Sequence, residues 1–447
     1  MTINPDIFHA YDIRGIYPKD FNEEVAYKIA QAYAKFVNPR IVALGYDVRL
    51  SAPALFKAMK DGFMDHGVDV INLGCITTDM YYFASGEYGY DAIIISASHN
   101  PREYNGIKMV RKNAVAISGD TGINEIKQIV LSDYSYKAGV PGKLTKQDVK
   151  IEYFKKCLSF IDQNKIKPIK VVANGMFGLA VQNLTLLNLP IKIIPLNERP
   201  DGTFPKGPPD PFLKENQTET MELIKKEKAD LGVAWDGDAD RFFLYDENAR
   251  AIPGYFLTAF LGQYFCQKFP GAKIIHETRG TWAIDEAVRE AGGISLINKV
   301  GHSFIKERMR FENAVFAGEG SGHFYFKDFY YADSGLIPFL LVLKIVSESS
   351  KKVSELFEPF FKKYFISGEI NTDLASFSQA EKIFKIIETK FSDSKIDYTD
   401  GISIEYPMWR ANIRSSNTQP LIRLNVEAKD PETLGQKIKE LLELIKS

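Results

Sequence analysis

The sequence predicts three consecutive α/β domains with mixed sheets, followed by a smaller C-terminal α+β domain. Three observations carry this. Short apolar runs alternate with helical patterns, the signature of α/β layers. The alternation restarts near residues 169 and 274. Beyond about residue 364 it gives way to closely spaced strand patterns and one amphipathic helix.

Taken in order, 41–45 reads as a buried strand, and Ser51 follows as a helix N-cap before the apolar spacing Leu55, Met59, Phe63. Strands are predicted over 68–73 and 92–95, each followed by a loop of small or polar residues. The second series has strands at 169–173, 191–195 and 231–235; the third at 274–276, 295–300 and 314–317. In the last part, 402–406, 409–413 and 421–426 suit an antiparallel sheet. Leu434, Ile438, Leu441 and Leu442 share one face of a helix over 430–445. The expected domains are 1–146, 147–247, 248–364 and 365–447.

Length and composition agree: 447 residues, 45% hydrophobic and 25% charged, suffice for several cores without covalent staples. A formal charge of -1 supplies no global field for nucleic acid or membrane, so an anionic substrate needs local basic pockets. Cys75, Cys157 and Cys266 are far apart and form no CxxC pair, which fits buried free thiols in a reducing compartment. No signal pattern occupies 1–11, and the apolar stretch 336–346, holding Pro338 and Lys344, is too short to cross a bilayer. A cytoplasmic protein, monomeric or weakly dimeric, is expected.

Four loops carry chemistry. Ser96-Ala97-Ser98-His99-Asn100-Pro101 follows an apolar strand, where open α/β sheets expose their ligand sites; an ordinary Ser/Asn/Pro turn fits the same residues. Asp236-Gly237-Asp238-Ala239-Asp240-Arg241 offers carboxylates at alternate positions to a hard divalent cation. A calcium EF-hand competes, since Glu247 stands at the twelfth position. Arg241 at the sixth, where glycine is wanted, and the strand-like flanks favour magnesium. Gly301-His302 and Gly318-Glu319-Gly320-Ser321-Gly322-His323 supply hydroxyl-binding groups, although either histidine also suits a core position. Arg414-Ser415-Ser416-Asn417-Thr418-Gln419-Pro420 with Arg423 suits a dianionic phosphate, or a polar hairpin. One hydroxyl, one metal, one sugar grip and one phosphate grip from four predicted domains imply a central cleft that all four line.

In these loops, and in Tyr11-Asp12-Ile13-Arg14-Gly15, Tyr104-Asn105-Gly106-Ile107-Lys108 and Asn174-Gly175-Met176, the chain resembles the α-D-phosphohexomutase superfamily nearly end to end. Within it the likeness is to phosphomannomutase/phosphoglucomutase, carried by Ile117-Ser118-Gly119-Asp120-Thr121-Gly122 and Pro209-Asp210-Pro211. Gly320, Arg279 and Met408 depart from the usual pattern and bear on sugar preference rather than chemistry.

The resemblance implies interconversion of hexose 1-phosphate and hexose 6-phosphate, of mannose or glucose, through a phosphate on Ser98 and a hexose 1,6-bisphosphate. Mg²⁺ held by Ser98, Asp236, Asp238 and Asp240, and glucose 1,6-bisphosphate as activator, follow from it. So does a set of catalytic residues: Lys108 as general acid/base, with a pKa that neighbouring cations would lower, His302 or His323 as its partner, and Arg14 and His99 beside Ser98. Substrate would be held by Tyr11, Arg241, Arg279, Gly301, His302, Glu319, Ser321 and His323. Its distal phosphate falls to Arg414, Ser416, Asn417, Thr418 and Arg423, with a hinge at 364–368. Phosphoglucosamine mutase, a metal-dependent sugar phosphatase and a non-catalytic phosphosugar sensor are the competing functions.

Overall fold

The computed structural model describes residues 3–415 and 420–446, which divide into two compact units: 1–251 with 321–353, and 252–320 with 354–447. The first unit opens on a mixed sheet with strand order Ile13–Ile16, Tyr104–Arg111, Asp91–Ile95, Ile41–Tyr46, Asp69–Cys75, Leu144–Lys146. Asp91–Ile95, Ile41–Tyr46, Asp69–Cys75 and Leu144–Lys146 run parallel, while Tyr104–Arg111 is antiparallel to both of its neighbours. The helices Glu23–Val37, Ala52–Asp65 and Ile123–Leu131 contribute Ile29, Leu55, Met59, Phe63 and Ile126 to the sheet's core. Burying side chains of this size is worth roughly 1.5–3 kcal/mol each.

Local signals act as expected where a short-range partner exists. Asn22 caps Glu23–Val37 by accepting from the Val25 N–H at 3.1 Å, and Asn38 closes it in the left-handed region. Ser51 stands at the N-cap of Ala52–Asp65, but its hydroxyl makes no capping bond. It accepts instead from Asn105 Nδ2 at 2.8 Å, a tertiary contact that wins over the local one.

A second sheet in this unit orders Ile191–Leu196, Ile169–Asn174, Leu231–Trp235 and Phe242–Tyr245. The first three are parallel; the last two form an antiparallel hairpin with Trp235 opposite Phe242. These strand flanks exclude an EF-hand, whose loop joins helices. The apolar stretch 336–346 lies within the buried helix Leu336–Ser349, where Phe339 packs edge-on against Trp235 at 5.5 Å. Among the described residues no helix is long and apolar enough to cross a membrane, and all three cysteines are free.

The second unit begins with parallel strands in the order Ile294–Asn298, Lys273–Glu277, Phe316–Gly318, interleaved with the helices Gly254–Lys268, Trp282–Glu290 and His302–Glu312. Its last part is an antiparallel sheet around Leu421–Ala428, paired with Trp409–Ser415 on one side and with Phe365–Ile366 and Ile370–Asp373 on the other. The helices Phe377–Lys390 and Pro431–Lys446 cover it, burying Ile387, Leu441 and Ile445 against Ile404, Ile413 and Leu424.

Candidate active site

The strand Asp91–Ile95 is buried throughout, and its C-terminal end delivers Ser98, 2% exposed, at a φ of 51°. That left-handed conformation strains a residue with a β-carbon, so the neighbours must hold it. Ser96 Oγ accepts from the Ser98 N–H at 2.9 Å and donates to Asp238 Oδ2 at 2.9 Å. Ser98 Oγ donates to Asp236 Oδ2 at 2.6 Å and stands 3.2 Å from His99 Nδ1. Loss of solvent, then the Arg241 and Arg14 cations, hold His99 well below the usual histidine range, so its ring is neutral. Arg14 is steered by Asp12 at 2.9 Å and donates to the Ala97 carbonyl at 3.3 Å and to the Asn100 side chain. Tyr11, half-buried, leads into the same strand, Ile13–Ile16.

The hairpin turn between Leu231–Trp235 and Phe242–Tyr245 brings Asp236, Asp238 and Asp240 together, with one oxygen from each within 4.8 Å of the others. All three are buried, and among the described residues Asp238 Oδ1 has no hydrogen-bond partner, while Asp240 Oδ1 has only His323 Nε2 near it, at 3.4 Å. Buried carboxylate oxygens without donors are costly unless a cation takes them. An all-oxygen set of this kind fits a hard divalent ion such as Mg²⁺.

Lys108, brought in by the antiparallel strand Tyr104–Arg111, lies 2.7 Å from Asp238 and 2.5 Å from Asp240. Burial alone would lower its pKa, but the two carboxylates outweigh burial and raise it above the ordinary lysine value. The expectation of a lowered value is therefore corrected: Asp238 and Asp240 outweigh burial and the nearby Arg14 cation together. For Asp236, burial followed by repulsion from Asp240 and Asp238 outweighs the Arg241 cation 3.8 Å away and pushes its pKa well up.

Arg241 donates its N–H to Asp236 Oδ1 at 3.2 Å, its guanidinium lies 3.9 Å from Asp210, and it bridges His323 across an isolated β-pair. His323 Nε2 is 3.4 Å from Asp240, and its Nδ1 is 3.0 Å from Ser321 Oγ. Ser98, Lys108, Arg14, His99, Arg241, Ser321 and His323 thus share the first unit with the carboxylates.

Glu319, Gly301, His302, Arg279, Arg414 and Arg423 belong to the second unit. Glu319 accepts from the Gly301 N–H at 3.2 Å; Gly301, at a φ of 130°, opens the helix His302–Glu312, and His302 Nδ1 stands 3.5 Å from Lys306. Arg279 pairs with Glu277 at 2.8 Å. Glu369 then gathers three guanidiniums: Arg279 at 3.3 Å, Arg414 at 3.0 Å, and Arg423. Arg279 Nη2, Arg414 Nε and Arg423 Nε are buried and find no acceptor among the described residues. Uncommitted buried donors on clustered arginines suit an anion with several oxygens. Ser416, Asn417 and Thr418 lie outside the described residues.

Sequence reasoning missed Arg49, Glu277 and Glu369. Arg49 had a signal: it follows a strand within Gly45-Tyr46-Asp47-Val48-Arg49, a polar loop at the same sheet edge as Ser98. Glu369 had none beyond standing next to Gly368.

Models of the phosphoglucomutase/phosphomannomutase domains match the chain in order. Alpha/beta/alpha domain I matches 5–137, domain II 151–250, domain III 253–364 and the C-terminal domain 369–444. The chain is 42% identical to phosphohexose mutases of Xanthomonas campestris pv. campestris (strain B100), over 97% of this chain and 98% of that one. To a phosphomannomutase of Salmonella montevideo it is 40% identical, over 99% of this chain and 100% of that one. The crystal structure of a phosphoglucomutase/phosphomannomutase family protein from Burkholderia thailandensis matches with a TM-score of 0.88 at 30% identity, covering 100% of this chain and 98% of that one. Four domain models in sequence and relatives aligned over nearly their whole length make one statement: the chain belongs to the phosphoglucomutase/phosphomannomutase family.

Proposed function

We propose that this protein is a Mg²⁺-dependent phosphohexose mutase that interconverts mannose or glucose 1-phosphate and the 6-phosphate through a phosphate carried on Ser98. The observation that carries the reading is Ser98 Oγ bonded to Asp236 at 2.6 Å, within a buried carboxylate set of Asp236, Asp238 and Asp240 in which Asp238 Oδ1 has no donor among the described residues. Bound there, Mg²⁺ would supply charge neutralisation for the phosphoryl group, which is most of what phosphoryl transfer requires of a protein.

The chain's own residues do the rest. A phosphoryl group leaves Ser98 Oγ for the free hydroxyl of the bound hexose phosphate, giving a hexose 1,6-bisphosphate and a Ser98 hydroxyl. The bisphosphate turns over, and its other phosphoryl group returns to Ser98. Lys108, with His302 or His323 as its partner, would take and return the hydroxyl proton. Arg14 and Arg241 would stabilise charge on the transferring oxygens. Glu319 and Ser321 would hold sugar hydroxyls, and Tyr11, Gly301 and Arg279 are assigned to substrate binding. Arg414 and Arg423, with Ser416, Asn417 and Thr418, would hold the distal phosphate. We assign the four domains to 1–146, 147–247, 248–364 and 365–447, and the enzyme to the cytoplasm as a monomer or weak homodimer; free Cys75, Cys157 and Cys266 support a reducing compartment.

The test is isomerisation of mannose 1-phosphate, glucose 1-phosphate and glucosamine 1-phosphate, with and without Mg²⁺ and a trace of glucose 1,6-bisphosphate. Turnover of the first two that requires both additions is expected. Activity on glucosamine phosphate alone would keep the chemistry and move the substrate. Release of free phosphate without isomer would replace the mutase by a phosphatase.

A further inference from the structure

Arg49 has a fully buried side chain. It follows the strand Ile41–Tyr46, and Asp47 fixes its turn by accepting from the Arg49 N–H at 2.9 Å. Its guanidinium gathers the carbonyls of the Ser98 loop. Nη2 donates to Ser98 O at 2.8 Å and to Asn100 O at 2.7 Å, and Nη1 donates to Pro101 O at 2.7 Å and to Tyr104 O at 2.9 Å. Nε lies 3.3 Å from Asp47, and the cation sits over the Phe204 ring at 5.0 Å. Only a guanidinium has five donors in a planar fork.

These bonds decide which way a peptide faces. In a trans peptide the C=O and the following N–H point in opposite directions. With Ser98 O drawn to Arg49, the His99 N–H is turned to the other side of that peptide, and it has no acceptor among the described residues. Gly237 seals the arrangement: a β-carbon there would stand 2.8 Å from Ser98 O, so the metal loop packs backbone to backbone on the same carbonyl. The residue whose carbonyl is held is also the one held at a φ of 51°.

We propose that Arg49 is a positioning residue for phosphoryl transfer: by holding the Ser98 carbonyl it fixes the nucleophile's strained backbone and keeps the His99 N–H facing outward as a donor to the phosphoryl group. The inference rests on the reading of Ser98 as the phosphoryl carrier. Arg49 touches neither substrate nor reacting atom; it acts through the 98–99 peptide.

The experiment uses full-length Arg49→Lys and Arg49→Ala beside wild type, with Mg²⁺, glucose 1-phosphate and labelled glucose 1,6-bisphosphate. In Arg49→Lys, kcat and the rate of Ser98 labelling should fall on the order of 100-fold, the usual effect of losing one oriented donor, with KM changed less than about threefold. Added guanidinium should restore much of the rate to Arg49→Ala and none to wild type. A folded Arg49→Lys with kcat and labelling within about twofold of wild type would overturn the proposal. So would a loss that follows thermal stability alone and resists rescue. Should Arg49→Ala not fold, the kcat-to-KM split in Arg49→Lys decides. Label found elsewhere than Ser98 in wild type would instead overturn the reading on which the proposal rests.

Discussion

Ser98 combines strain with a charged neighbourhood, and substitution separates the two. Ser98→Ala keeps the β-carbon and the backbone bonds, and loses the hydroxyl's bond to Asp236, about 1 kcal/mol. Isomerase activity should fall more than about 1000-fold while the melting temperature moves little; retained turnover would remove Ser98 from the chemistry. Glu369 is the second informative residue. Burial opposes its ionisation, but Arg279, Arg414 and Arg423 overcome that and hold its pKa at about 2, against 4.5 for a free glutamate. A folded value below the unfolded one means stability present above about 4.5 and lost as pH falls toward 2. Wild type should therefore exceed Glu369→Gln by up to ~3 kcal/mol at pH 7, the gap narrowing between pH 5 and pH 3 in thermal melts. A gap independent of pH would contradict the pairing.

At the scale of elements, a buried carboxylate ties distant pieces of the first unit together. Asp79, in the first turn of Thr78–Tyr88, accepts from Thr77, from Ser334 at 2.9 Å and from Tyr153 on the helix Lys150–Leu158. Burial pushes its pKa up to about 6, and those hydrogen bonds only partly pull it back. The sign is opposite to that of Glu369: the protonated form fits the fold, so stability is full below about 3.8 and declines as pH rises through 6. Relative to wild type, Asp79→Asn should gain stability between pH 4 and pH 7, by ~3 kcal/mol at most. Melts that stay parallel across that range would show Asp79 charged throughout. The element-level reading of the sequence was good for strands, because each is a short apolar run bounded by turn residues. Ser51 does stand at the N-cap the sequence predicts, but a residue 54 positions away takes its hydroxyl in place of a capping bond.

For the whole molecule, the proposed turnover of a bisphosphate predicts movement of the last domain relative to the third. The predicted hinge at 364–368 is partly tied down: Phe365 and Ile366 pair with Ala428 and Glu427, and the Ser367 N–H donates to Val426 O at 2.9 Å. The swivel we propose is therefore the end of the helix Val353–Lys363 and Tyr364, with Gly368 at a φ of 69° beyond it. Glucose 1,6-bisphosphate should compact the molecule in solution scattering as its phosphate competes with Glu369 for the arginines. Superimposable curves with and without the ligand would remove the hinge.

The sequence by itself determined the order of domains, the strand ends that carry Ser98 and the aspartates, and the type of chemistry. Each of these is written in a few adjacent residues: an apolar run, a hydroxyl, carboxylates at alternate positions. What only the tertiary structure decided depends on groups far apart in the chain. Lys108 meets carboxylates 130 and 132 residues away, which reverses the direction of its pKa. Arg49 reaches carbonyls 49 to 55 residues on, and Glu369 joins arginines from two separate segments. The compact units likewise divide between Gly320 and Ser321, inside one glycine-rich loop. Local chemistry says which groups a loop can offer; only folding sets which charges and donors surround them, and in a buried site those neighbours decide what each group does.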